Sequence, residues 1–241
     1  MRLRPMSRPL ALVAVLAAVG PLAACSGDDT AAADPQSTPA ASDSASASAS
    51  SGAGECAYPA GEPASKQVDA PPATPAVSGT VKATMSTNIG DFQLTLDADR
   101  TPCTVNNFVS LAEQGYFDKT PCHRLVTEGI YVLQCGDPTG TGTGGPGYTI
   151  PDELKGDEDY SAGALAMAKT QFPDSGGSQF FIVYADSTGL PKDYTVFGKV
   201  DAAAVKAIAQ VAKAGTKGGQ TPTDGAPAKP VDITKVTVDG R

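Results

Sequence analysis

Pro121–Asp137 reads PCHRLVTEGIYVLQCGD. It gathers an arginine, a histidine, a glutamine, two cysteines and an apolar run around a turn signal at Thr127–Ile130, with strand-forming residues on both sides. This pattern predicts a β-hairpin. Strand alternation lets Arg124 and Gln134 project from the same sheet face as Tyr131 or Val132. A fixed charge beside an apolar floor suits an uncharged peptide.

Working outward, the N-terminal residues read as an address rather than as fold. Arg2, Arg4 and Arg8 precede an uncharged run from Pro9 to Ala24 that ends in small residues, the pattern of a secretory signal over residues 1–24. The run is short for a membrane span and contains Gly20-Pro21. Leu22-Ala23-Ala24-Cys25 resembles the lipobox of bacterial lipoproteins, which implies cleavage before Cys25 and a diacylglyceryl group on its sulfur; two acyl chains are enough for stable anchoring. Residues 25–76 read as a disordered Ala/Ser/Pro-rich tether, too poor in apolar residues to offset ordering entropy. Cys56 interrupts it and suggests a staple to the folded domain over residues 77–241.

The chain carries a net charge of −8 and no tryptophan. An acidic surface without basic clusters argues against nucleic acid as a partner. With Cys25 set aside, Cys56, Cys103, Cys122 and Cys135 form an even set, which in an exported chain favours two disulfides. If Arg124 faces outward, Cys122 shares its face while Cys135 opposes the face of Gln134. This points towards Cys103–Cys122 with Cys56–Cys135. No Cys-x-x-Cys occurs and His123 is the only histidine, so no metal site is expected.

Within the domain, Val81–Thr87 and Phe92–Leu96 alternate around a turn at Asn88–Asp91, as an opening hairpin does. A helix follows, with Thr101 as its cap, Pro102 in the first turn and Gly115 at its end. Gly140, Gly142 and Gly145 have the spacing G-x-G-x-x-G, but no helix follows to present amides to a phosphate. The stretch therefore reads as a flexible surface loop. Strands are expected at Ala164–Ala168, Phe180–Tyr184, Thr195–Val200 and Ile233–Val238, a second helix at Ala202–Ala212 and a loop from Thr216 to Pro230. Eight strands and two helices without a βαβ rhythm suggest a mainly β fold, a closed eight-stranded antiparallel barrel capped by two α-helices.

Four segments resemble the cyclophilins. His123-Arg124-Leu125 followed by Gln134-Cys135-Gly136-Asp137 is similar to the family's F-H-R…Q-G-G-D signature. Ser175-Gly176-Gly177-Ser178-Gln179-Phe180-Phe181-Ile182 resembles N-G-S-Q-F-F-I. Ala166-Met167-Ala168 and Val196-Phe197-Gly198-Lys199-Val200 match in order and spacing. The resemblance implies peptidyl-prolyl cis-trans isomerase activity without cofactor or metal. It makes Arg124 the catalytic arginine and Gln134 the glutamine that holds the substrate backbone and orients the arginine. Tyr131, Val132, Phe181 and Leu190 fall on proline-pocket positions, Ala168 and Lys169 on the segment that pairs with the substrate backbone, and Tyr194 where the family often has histidine. His123, next to an outward Arg124, is expected to point into the barrel as a hydrogen-bonded core residue.

Three departures stand out. A one-residue insertion lies between Ala168 and Gln179, around Gln171-Phe172-Pro173. The turn at Thr127–Ile130 is one residue longer than the family's, and Gly189 occupies the position of the tryptophan on which cyclosporin-sensitive members rely, which implies weak cyclosporin binding. The expected partners are proline-containing exported polypeptides, met by a lipid-anchored monomer at the outer face of the cytoplasmic membrane. The alternative is a non-enzymatic barrel that binds proline peptides as a chaperone or assembly module.

Overall fold

The computed structural model describes residues 54–241. The signal, the lipobox with Cys25 and the tether up to residue 53 lie outside the described residues.

The opening hairpin forms as the alternation requires. β1 (Thr80–Thr87) pairs antiparallel with β2 (Gly90–Asp97), burying Phe92, Leu94 and Leu96 on one face. Helix α1 (Pro102–Glu113) follows and buries Val105, Phe108, Val109 and Ala112. Its cap differs from the expectation. The Thr101 hydroxyl turns back to donate to the Asp97 carbonyl. Glu153, far along the chain, accepts from the Cys103 and Thr104 amides at 3.1 and 2.8 Å, placing a carboxylate on the positive end of the helix.

The short strands β3 (Thr120–Pro121) and β4 (Arg124–Val126) come next, then β5 (Val132–Cys135), β6 (Ala164–Met167), β7 (Phe180–Val183) and β8 (Val196–Val200). Helix α2 (Ala202–Ala212), β9 (Thr216–Thr221), β10 (Asp224–Pro227) and β11 (Asp232–Val238) complete the order. All strands join one sheet in the order β3-β11-β1-β2-β8-β6-β7-β5-β4-β10-β9. The eight anticipated strands form its uninterrupted middle.

The expected closed eight-stranded barrel is therefore corrected to an eleven-stranded sheet whose ladder does not close among the described residues. The reason lies at Cys122-His123, where the strand breaks. The piece before the break, β3, pairs with β11, while the piece after it, β4, pairs with β10. The Thr216–Pro230 segment, expected as a loop, supplies β9 and β10 and covers the edge of β4 with a hairpin, one of the ways an exposed edge is managed.

The same break decides the disulfides, Cys56–Cys103 and Cys122–Cys135. The pairing read from strand faces fails because Cys122 is not in a strand, so the alternation counted back from Arg124 does not reach it. Cys122 instead turns inward, and its Cα lies 4.0 Å from that of Cys135. Both cysteines are buried beneath the central hairpin.

Residues 54–76, assigned by composition to the tether, lie along the domain. The Cys56 amide donates to the Ala73 carbonyl at 2.7 Å, and the Ala76 amide donates to Asn106 Oδ1 at 2.9 Å. Lys66 Nζ donates to the Gly115 carbonyl at the end of α1. Polar contacts, one disulfide and the packing of Tyr58 and Val68 against the core hold this arm.

Inside the sheet, Phe108, Phe117, Phe180 and Phe197 pack with centroid separations of 5.0–5.6 Å. A second apolar cluster, containing Val126, Val132, Ala166, Phe181 and Val183, forms apart from that core. It is the floor of the groove described next.

Candidate active site

The sheet register builds the groove. Arg124 pairs with Gln134, Gln134 with Phe181, and Phe181 with Ala166. Four neighbouring strands, β4, β5, β7 and β6, thus set an arginine, a glutamine, a phenylalanine and an alanine in one row on one face. The next row along the same strands is Val126, Val132, Val183 and Ala164, wholly apolar.

Above these rows lies a cavity of about 770 Å³. Phe181, only 5% exposed, is part of its floor, beside Val132. The Tyr194 ring meets Phe181 edge-on at 5.4 Å. Leu190 and Ile130 close one side, and Ala168 and Lys169 another. Burying an apolar ring of proline size on such a floor stabilises a complex by about 1.5–3 kcal/mol.

Of the residues expected at the site, the structure brings together Arg124, Gln134, Val132, Phe181, Leu190, Ala168, Lys169 and Tyr194. Tyr131 is the exception. Its ring packs against Tyr184 at 5.9 Å on the core side, and its amide donates to Ser187 Oγ at 2.8 Å. The extra residue of the turn puts Ile130 into the groove in its place. Lys169 does not present a free ammonium: its side chain is 8% exposed and lies 3.3 Å from Asp152 and 3.8 Å from Asp193.

Arg124 is held at three points. Its Nε and one terminal nitrogen donate to the two carboxylate oxygens of Asp224 at 2.8 and 2.7 Å, and the other terminal nitrogen donates to Gln134 Oε1 at 3.2 Å. The bidentate pair fixes the plane of the guanidinium, and the hydrogen bonds to Asp224 raise its pKa further above the usual arginine value. The guanidinium therefore stays charged throughout the accessible pH range. Its side chain remains 41% exposed to the groove. Asp224 was missed in the sequence because it sits in a stretch read as loop. The signal available there is the Pro222-Thr223 turn between two polar strands, with Asp224 opening the second.

The network continues. Gln134 Nε2 donates to Gln179 Oε1 at 2.9 Å, and Gln179 Nε2 donates to the Gly142 and Gly144 carbonyls at 3.0 and 2.9 Å. The glycine-rich loop is thus packed onto the groove rather than free at the surface. Asp137 holds it from beneath, accepting from the amides of Thr139, Gly142 and Gly144 at 2.7, 2.7 and 3.1 Å. Burial raises the Asp137 pKa, but the hydrogen bonds from the Thr139 hydroxyl and from these amides outweigh it and leave the carboxyl below its ordinary value. A Cβ at Gly144 would overlap this carboxylate, so glycine is required there for close approach.

His123 also departs from expectation. It belongs to the groove lining rather than to the barrel core, and neither ring nitrogen has a hydrogen-bond partner among the described residues. The strand break that turns Cys122 inward places the His123 ring under the glycine-rich loop, where a Cβ added at Gly142 would lie 3.4 Å from its Cδ2. Burial is the main cause that lowers its pKa, and the Arg124 charge adds to it. The folded state therefore binds this proton less readily than the unfolded chain. Stability should fall as pH drops through the unfolded value of about 6.5 and level off below the folded one. Urea titrations between pH 7.5 and 5 should show this slope, and His123→Gln should flatten it; an unchanged slope in the variant would refute the assignment.

At Gly189, a Cβ would lie 3.4 Å from the Gly129 carbonyl and 3.7 Å from Ile130 Cγ2. The longer turn occupies the space beside this position, and no aromatic ring stands there. Cyclosporin should therefore inhibit poorly; a submicromolar inhibition constant would contradict this.

No group of three or more potential metal-ligating side chains occurs among the described residues, and no helix there is long and apolar enough to cross a membrane.

Comparison with known proteins agrees with this arrangement. Residues 82–238 match the family model "Cyclophilin type peptidyl-prolyl cis-trans isomerase/CLD". The chain is 45% identical over 201 residues to a probable peptidyl-prolyl cis-trans isomerase B of Mycobacterium tuberculosis, covering 76% of this chain and 64% of that protein. It thus spans just under two thirds of that relative's length. It is 34% identical over 175 residues to peptidyl-prolyl cis-trans isomerase A of the same organism, covering 66% of this chain and 92% of the relative. A crystal structure of a cyclophilin-type isomerase from Cryptosporidium parvum superposes with a TM-score of 0.58 at 28% identity, covering 67% of this chain and 99% of that one.

Proposed function

The chain belongs to the cyclophilin-type peptidyl-prolyl cis-trans isomerase family, and from that premise we propose that its groove catalyses rotation about X–Pro bonds. The observation that carries the reading is the row Arg124–Gln134–Phe181, with Arg124 clamped by Asp224 and its remaining face open to the groove.

The barrier to rotation comes from amide resonance and is roughly 18–20 kcal/mol. No bond to the substrate has to form. A site accelerates the step by binding the twisted amide better than the planar one. In the twisted state the prolyl nitrogen regains a lone pair and accepts a hydrogen bond. A guanidinium already oriented by Asp224 and Gln134 donates to it without reorganising, which is where preorganised charge contributes most. Phe181 and Val132 hold the proline ring while the acyl side turns. Gln134, with one amide end on Arg124 and the other on Gln179, keeps the donor aimed. Protease-coupled isomerisation of a short X–Pro peptide tests this. Acceleration over the spontaneous rate is expected; binding without acceleration would favour a non-catalytic chaperone instead.

The chain's place in the cell belongs to the same proposal. The signal and lipobox patterns, together with two disulfides, support an isomerase lipidated at Cys25 and acting as a monomer on exported polypeptides at the outer face of the cytoplasmic membrane. Cys25→Ala should shift the protein from the membrane fraction to the soluble one; an unchanged distribution would count against the anchor.

A further inference from the structure

A second cavity, of about 430 Å³, opens beside the groove. The two share Gln134, Gly142, Ala168 and Lys169, so a peptide lying in the groove has access to both. The second cavity is not built by the barrel alone. The arm over residues 54–76 lies outside the span that matches the family model, yet it borders this space. The Gly61 amide donates to the Gly147 carbonyl at 3.0 Å, the Thr149 amide to the Pro59 carbonyl at 2.9 Å, and the Ser65 amide to the Gly145 carbonyl at 2.9 Å. The Gly145 amide returns a bond to Ser65 Oγ at 3.0 Å. With Cys56 bonded to Cys103, the arm is fixed on both sides of Glu62.

Glu62 lines this cavity, is exposed, and has neither a hydrogen-bond nor an ion-pair partner among the described residues. The charged groups near it already have partners. The Lys169 ammonium is paired with Asp152 and Asp193. Asp137, under the glycine loop, is engaged by three amides. Of the two charged residues that line this cavity, Lys169 is paired and Glu62 has no partner among the described residues.

We propose that Glu62 and the arm that carries it form a substrate subsite selecting a lysine or arginine close to the proline. This rests on the isomerase reading above and names the substrate class the groove prefers. A long cationic side chain lays its methylene stem along the cavity wall and reaches the rim with its charged end. A pair this exposed is weak and sensitive to salt, so the effect is a preference rather than an absolute requirement.

The test is a set of alanine-based X–Pro peptides with a single lysine, alanine or glutamate moved through the positions on either side of the X–Pro pair, assayed with the whole protein. At low ionic strength, kcat/KM should favour lysine over alanine by about two- to five-fold at one position. The preference should vanish at 1 M salt, disappear in Glu62→Gln and turn towards glutamate in Glu62→Lys. The subsite is overturned if no position prefers lysine, or if Glu62→Gln keeps the preference. Failure to accelerate any peptide overturns the isomerase reading itself, whereas acceleration of the all-alanine peptide without a lysine preference overturns only the subsite.

Discussion

Arg124→Ala should lower kcat/KM for X–Pro isomerisation by about 10²–10³-fold, the loss typical when a preorganised donor to transition-state charge is removed. Peptide affinity should change much less, because Phe181 and the apolar row that contains Val132 are untouched. Arg124→Lys keeps the charge but gives up the planar two-point pair with Asp224, and should fall between the two. Asp224 is a positioning residue. Asp224→Asn weakens a charge-assisted pair and should reduce kcat about ten-fold with little change in KM, and Asp224→Glu should recover part of it. Equal changes in kcat for Asp224→Asn and for a neutral groove-edge variant would show that the clamp does not act through Arg124.

Removing the Cys56–Cys103 disulfide should be the most destabilising change that leaves the groove chemically intact. The two residues are 47 apart in sequence. Freeing that loop in the unfolded chain costs about 4 kcal/mol by the chain-entropy relation. The same relation gives about 3 kcal/mol for Cys122–Cys135, 13 apart. Against a usual total of about 5–15 kcal/mol, Cys56→Ser/Cys103→Ser should lower Tm by roughly 8–16 °C. The loss should exceed that of Cys122→Ser/Cys135→Ser. Calorimetry of the two pairs decides the order, and a larger loss for the second pair would mean that packing around the hairpin, not loop length, sets the contribution.

Much of this architecture is legible in the chain because long alternating strands and an amphipathic helix have a period to read. Phe92, Leu94 and Leu96 announce one buried face, and Val105, Phe108, Val109 and Ala112 announce another. What escaped notice lies where the period fails. Cys122-His123 interrupts a strand, and the interruption reverses three expectations together: the cysteine pairing, the hydrogen bonding of His123 and the closure of the sheet. The Thr216–Pro230 stretch is polar and rich in glycine and proline, so its hairpin is supported by the edge of β4 rather than by its own pattern; Asp224 could not be seen opposite Arg124 without that pairing. The extra turn residue exchanges Ile130 for Tyr131, since a one-residue slip moves a side chain to the other face. The arm over residues 54–76 lacks an apolar stripe and is held by hydrogen bonds, one sulfur bridge and the isolated side chains of Tyr58 and Val68, which composition does not reveal.

The central claim is that an arginine clamped by Asp224 turns a proline-binding groove into a catalyst. The most direct measurement is two-dimensional exchange NMR on an X–Pro peptide, which reads binding and cis-trans interconversion in one sample. With the unmutated protein, exchange cross-peaks between the cis and trans forms should appear within the mixing time, whereas spontaneous isomerisation takes tens to hundreds of seconds. With Arg124→Ala, line broadening from binding should persist and the cross-peaks should vanish. Cross-peaks of undiminished intensity in Arg124→Ala, or none with the unmutated protein, would contradict the account.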